Sequence, residues 1–249
     1  MANLIYCELL KLKRSKMLLI SFLGALVTPL MMIADGMKVH FSEPDIEITL
    51  SGLYFSCSLY TMVLFGPVVY SVIAAHLFSR EHSEQTLKTV LTVPVSKLSF
   101  MASKFIMLLI WIMGLTLVTW AAMFILGAAF GAVFGIAEFS FMVAIRYLGE
   151  MIPGGLLMFL TVSPFAYLAV RSKGLVLPII AAATVVMGNV GLSNEALGAL
   201  YPWTAIYLVV SGGIAQTGYP VSIAVALIAL VSILGFLLSF VHFHREDIK

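Results

Sequence analysis

The stretch that decides the fold is LYFSCSLYTMVLFGPVVYSVIAAHLFSREHSEQTLKTVLTVPVSK, Leu53–Lys97. Its first part, Leu53–Phe78, contains no Asp, Glu, Lys or Arg. A helix needs about 20 apolar residues to cross the hydrocarbon core of a bilayer. The second part turns polar at once. Ser83 is placed to cap a short helix, and Glu84 lies near the positive end of its dipole. Glu84 and Lys88 stand four apart in the favourable order. Leu87, Val90 and Leu91 make an apolar stripe, and Pro94 ends the element. A membrane-crossing helix thus delivers a short amphipathic helix to the water. Its stripe needs a cover, either lipid or another protein, and spacing alone does not choose between them.

Five more charge-free runs lie at Met17–Ile33, Phe105–Gly127, Met151–Val170, Leu175–Leu192 and Val221–Val241. The 249 residues are 61% hydrophobic and 10% charged, whereas soluble domains carry about 45–50% apolar and about 25% charged residues. A soluble enzyme and a disordered chain are both excluded, since this much apolar surface must be buried in lipid. A net charge of +2 is too small to argue for nucleic acid. The expectation is an all-α integral membrane protein with six transmembrane helices in one permease domain, residues 1–249. Two shorter apolar runs, Val133–Tyr147 and Trp203–Ile214, suit re-entrant or interfacial segments better than a seventh crossing.

Charge in the loops sets the orientation. Lys11, Lys13, Arg14 and Lys16 precede the first span. Arg80, Lys88, Lys97 and Lys104 lie between spans two and three, Arg171 and Lys173 between four and five, and Arg245 and Lys249 in the tail. Twelve of the 14 basic residues therefore fall on one side, leaving Lys38 and Arg146 on the other. Both termini are expected in the cytoplasm. The first apolar run exceeds the ~7–15 residues of a signal-peptide core, so an uncleaved anchor is expected. Before it, residues 3–16 place Leu4, Ile5, Leu9 and Leu12 at roughly helical spacing among Glu8, Lys11 and Lys13, as an interfacial helix would; a solvated basic flank is the plainer alternative. The first outer loop, Asp35–Ser51, is acidic but defines no metal geometry. Cys7 and Cys57 should sit at different depths and read as structural thiols.

Several residues admit two readings. Asn189 is the most polar side chain deep in a span; it lines a pathway or makes an interhelical hydrogen bond. Gly127, Gly131 and Gly135 form a small-residue series suited to close helix approach, either as a dimer contact or as packing within one subunit. His76, His82, His242 and His244 share one side, yet no carboxylate or thiolate is arranged with them for a metal. The spans lack the ionisable groups that mark proton or ion relays, so an energy source outside the membrane is favoured. No G-x-x-x-x-G-K-[ST] loop occurs to cradle nucleotide phosphates, and neither H-E-x-x-H nor G-x-S-x-G is present.

The segment Glu81, Thr86-Leu87, Val90-Leu91-Thr92, Pro94-Val95-Ser96, Lys97 and Lys104 resembles the signature of ABC type-2 exporter permeases. Gln85 stands where that family commonly has Gly, and Lys97 where it has Arg. The opening Glu8…Lys11…Arg14-Ser15 is similar to the family's opening, and the layout agrees over the whole chain. Within the family, the size and the form of this segment resemble bacitracin- and lantibiotic-resistance permeases. The resemblance implies a transport subunit and no enzyme, with residues 79–98 as the coupling loop. Glu81, Glu84, Thr86, Leu87, Val90, Leu91, Pro94 and Lys97 would meet the ATPase. It also implies two copies of a separate ABC ATPase subunit that binds ATP and magnesium, a second permease subunit, identical or related, and a bacterial cell (plasma) membrane. The implied cargo is an antimicrobial peptide or amphipathic drug. Other cargo such as lipid or small ions, a secondary carrier, and a membrane-embedded lipid enzyme are the alternatives.

Overall fold

The structure is a computed structural model and describes residues 2–13, 15–43, 45–83 and 96–245. The described residues are almost entirely helical. The helices are α1 (Ala2–Lys13), α2 (Lys16–Ser42), α3 (Leu50–Tyr60), α4 (Gly66–Ser83), α5 (Lys97–Phe134), α6 (Phe141–Ser172), α7 (Val176–Leu192), α8 (Pro202–Val210) and α9 (Val221–Arg245). A single wide turn of π-helix, Thr61–Phe65, joins α3 to α4, so these two form one continuous rod.

Hydroxyl side chains set the helix starts. Ser15, Thr49, Ser96 and Ser140 each accept a hydrogen bond from a backbone N–H in the first turn of α2, α3, α5 and α6. Gly135, at φ +80, stops α5 in a backbone conformation that a side chain would strain. Five rods are long and apolar enough to cross a membrane: α2, α3–α4, α5, α6 and α9. The run Leu175–Leu192 forms α7, shorter at 17 residues. The helices overrun the apolar stretches that announced them. The α2 helix continues to Ser42, so Asp35 and Lys38 sit on a helix and not in the expected outer loop. Likewise α5 begins at Lys97 and α6 at Phe141. Hydropathy marks the part of a helix that suits lipid, whereas the cap marks where the helix begins.

The α4 and α6 helices lie inside the bundle, and α2 and α9 lie on its rim. The α9 helix meets α6 through Ser232, Gly235 and Ser239. A Cβ on Gly235 would fall 2.4 Å from Ser163 Oγ and 2.6 Å from the Pro164 nitrogen, so the two backbones need a glycine there. Small residues permit this approach where lipid supplies no hydrophobic drive between helices. The run Trp203–Ile214 does not cross: α8 has nine residues, with Thr204–Leu208 buried, and Gly212 at φ +76 turns the chain back.

Candidate functional site

The segment singled out for coupling begins and ends at two stems, α4 and α5. Glu84, Thr86, Leu87, Val90, Leu91 and Pro94, and hence the expected short helix, lie outside the described residues. Glu81 and Lys97 are described. Glu81 is buried beside Lys104, whose Nζ lies 2.5 Å from Glu81 Oε2 and also donates to the Leu77 carbonyl. Lys11 Nζ reaches Glu81 Oε1 at 3.2 Å and Glu8 Oε1 at 2.7 Å. Two carboxylates and two ammonium groups thus form a charge-balanced quartet. The rings of Phe78 and Phe100 flank Lys104, 5.9 and 5.1 Å from its Nζ. Desolvation pulls Lys11 down, but the Glu8 and Glu81 carboxylates outweigh it and hold the ammonium above its ordinary pKa.

This quartet ties three elements together: α1 through Glu8 and Lys11, α4 through Glu81, and α5 through Lys104. It changes the picture of the N-terminal helix. Glu8, which fills a position between the apolar ones in the sequence, is only 4% exposed, while Tyr6, Leu9 and Leu10 face outward. The ion pairs, more than the apolar spacing, orient α1. Next to it, Ser15 Oγ lies 3.5 Å from His76 Nε2. Lys97 at the start of α5 donates to the carbonyl of His244 near the end of α9 at 3.2 Å. The His242 ring meets the ring of Tyr167, and among the described residues no three His, Cys, Asp or Glu come together to hold a metal. Cys7 is exposed and Cys57 buried, both as free thiols.

A second buried polar group was only half legible. In an α-helix the carbonyl of Val63 would accept from the N–H of residue 67, and residue 67 is proline. Asn189 Nδ2 of α7 donates to that carbonyl at 2.7 Å, and Asn189 Oδ1 accepts from Thr204 Oγ1 of α8 at 3.0 Å. Asn189 and Thr204 are fully buried. Asn189 thus makes the interhelical hydrogen bond that was one of its two readings, and it serves the wide turn. Pro67 in the middle of a span was the available signal. The glycine series packs within the subunit: a Cβ on Gly127 would touch Leu50, one on Gly131 would strike Ile136, and Gly135 is the helix stop.

The family model for ABC-2 family transporter proteins matches residues 4–191. The chain belongs to the ABC-2 transporter family. The match takes in the N-terminal helix, both stems and Asn189. The chain is also 35% identical over 205 residues to the bacitracin transport permease protein BCRB of Bacillus licheniformis, which covers 82% of this chain and 96% of that protein. This ABC-2 protein is accordingly a multi-pass membrane subunit of an ABC transporter, a transport subunit and not an enzyme, and the family implies an ABC ATPase as partner.

Proposed function

We propose that this ABC-2 permease exports an amphipathic peptide of the bacitracin or lantibiotic type, or a drug of similar character, at the expense of ATP hydrolysed by a separate subunit. The observation that carries this reading is the similarity to a bacitracin transport permease over nearly that protein's whole length. Six crossings with both termini in the cytoplasm follow if α7 crosses with the five longer rods, as the basic loops favour. The complex would hold two permease subunits, identical or related, and two ATPase subunits that bind ATP and magnesium, in a bacterial plasma membrane.

The coupling loop, residues 79–98, would receive the ATPase through Glu84, Thr86, Leu87, Val90, Leu91, Pro94 and Lys97, while Glu81, expected at that contact, is buried among its ion pairs and would act from beneath. Beneath it the Glu8–Lys11–Glu81–Lys104 quartet would act as a rigid base. A push on the loop then moves α1, α4 and α5 as one piece, since separating them would strand buried charge. Asn189 belongs to the pathway half of this machine, where it holds the wide turn against α7 and α8. The Gly127–Gly131–Gly135 face acts in packing and, in the paired permease, as a candidate contact.

The test is export itself. Cells lacking the chain should become more sensitive to bacitracin-like or lantibiotic peptides, and inverted vesicles carrying chain and ATPase should take up the peptide only with ATP. Unchanged sensitivity across such a panel would refute the cargo, and uptake without ATP would refute the energy source.

A further inference from the structure

A cleft of about 580 Å³ opens between α3, α8 and the segments 193–196 and 211–217. It lies at the end of the bundle opposite the ion quartet. This volume is in the range of about 300–1,000 Å³ usual for small-molecule sites. One wall is apolar and aromatic: Phe55, Leu59, Tyr207 and Leu208, with the Phe55 and Tyr207 rings 6.3 Å apart at 70°. The other wall is polar and includes Glu195 and Gln216. The backbone of Glu195 donates to Leu192 and accepts from Gly198, whereas its exposed carboxylate has no hydrogen bond or ion pair among the described residues. It is the one charged residue of the lining, and no Lys or Arg occurs anywhere in residues 174–244. In the six-span arrangement the same side carries Asp35, Glu43, Asp45, Glu47, Glu138 and Glu150 against Lys38 and Arg146 only.

We infer that this cleft is a binding site for an amphipathic cation, its positive head between Glu195 and the aromatic pair and its tail along Leu59 and Leu208. Three terms converge on that class. The carboxylate selects positive charge. The ring faces attract a cation further, most strongly for a quaternary ammonium. The acidic surroundings concentrate cations at the mouth. An anion would be repelled by the Glu195 carboxylate, and a neutral alkane would leave Glu195 facing an apolar neighbour. The inference rests on the six-crossing reading for the outward-facing mouth and its acidic surroundings; binding itself needs neither ATPase nor transport.

The test uses the full chain, purified alone in neutral detergent, and a dansyl-tagged undecyl trimethylammonium probe, with 11-dansylaminoundecanoate as its anionic counterpart. Saturable enhancement of the cationic probe is expected, with the anion no better than detergent alone. Glu195→Gln should weaken the cation about tenfold. Gln216→Trp, which fills the cleft from an exposed position, should abolish saturation. Neither residue is packed in the bundle, so both variants should fold. If the cation binds both variants as it binds the parent, or the anion binds equally well, the probe partitions into detergent and the inference is overturned. Binding that follows this pattern in a chain that exports nothing would fault the export reading and leave the site intact.

Discussion

Removing Lys104 should do more harm than removing both Lys104 and Glu81. Glu81 and Lys104 side chains are 3% and 2% exposed and 2.5 Å apart. In Lys104→Met, Glu81 keeps, among the described residues, the ion pair with Lys11, which is 32% exposed. Stranding one member of a buried pair costs about 3–5 kcal/mol, whereas replacing both members by neutral groups of similar size is often near neutral. Glu81→Gln should cost a similar amount, because it strands Lys104. The double variant Glu81→Gln/Lys104→Met should therefore recover most of the loss, giving a coupling energy of at least ~2 kcal/mol, in the upper part of the range for residues in contact. Lys11→Met removes a half-exposed ammonium but leaves the buried Glu8 carboxylate without its ion pair, so its cost should fall between the ~1 kcal/mol of an exposed pair and the ~3–5 kcal/mol of a buried one. Denaturant unfolding of the purified chain in detergent measures all four. The double variant should regain stability yet transport poorly, because it has lost the base that moves three helices together. If the two single losses simply add in the double variant, the quartet is no cooperative unit and the coupling argument fails.

Asn189→Leu should cost about 1–3 kcal/mol for each group it strands, the Val63 carbonyl and the Thr204 hydroxyl; in a Pro67→Ala background, which restores a backbone donor, the loss should shrink, and an unchanged loss would refute the link between Pro67 and Asn189. Leu87→Asp/Leu91→Asp should insert normally but lose the ATPase on purification, and stoichiometric ATPase would show that the stripe faces lipid. Reporter fusions after Gly174 and at Lys249 should read as cytoplasmic and one at Glu43 as external; an external C-terminus would refute six crossings. Since the pKa of Lys11 is raised, its contribution is complete below the ordinary lysine value and lost only as pH climbs through the raised one. A maleimide fluorophore on Cys7 should accordingly report α1 docked and unchanged from about pH 6 to about pH 9, and undocking within that window would contradict it.

Much of the helical layout was legible because charge-free runs have few physical outlets, and the positions of Lys and Arg then order them. Helix ends were less legible, since Ser96 and Ser140 cap helices well outside the apolar runs and hydropathy is silent there. Glu8, Lys11, Glu81 and Lys104 each stood out in the sequence, but as members of separate motifs. Their meeting depends on how α1 folds back over α4 and α5, and spacing along one chain does not encode that. The cleft was illegible for the same reason, because Phe55 and Glu195 are far apart in sequence. The bond from Asn189 to Val63 was readable in principle: a mid-span proline must leave a carbonyl in want of a donor.

The length of α5 has a mechanical consequence. Its 38 residues make a rod of about 57 Å at 1.5 Å per residue. A bilayer with its headgroups is about 40–45 Å thick. The rod is therefore longer than the membrane it crosses, and at least about 12 Å of it must stand clear or lie strongly tilted. Lys97 and Lys104 are carried at one end. A tilt of about ten degrees around the middle of such a rod sweeps each end through about 5 Å, roughly one helical turn. A turn-sized displacement at the cytoplasmic end therefore appears as an equal and opposite one at the other, provided the rod stays stiff, and among the described residues α5 has no proline to soften it.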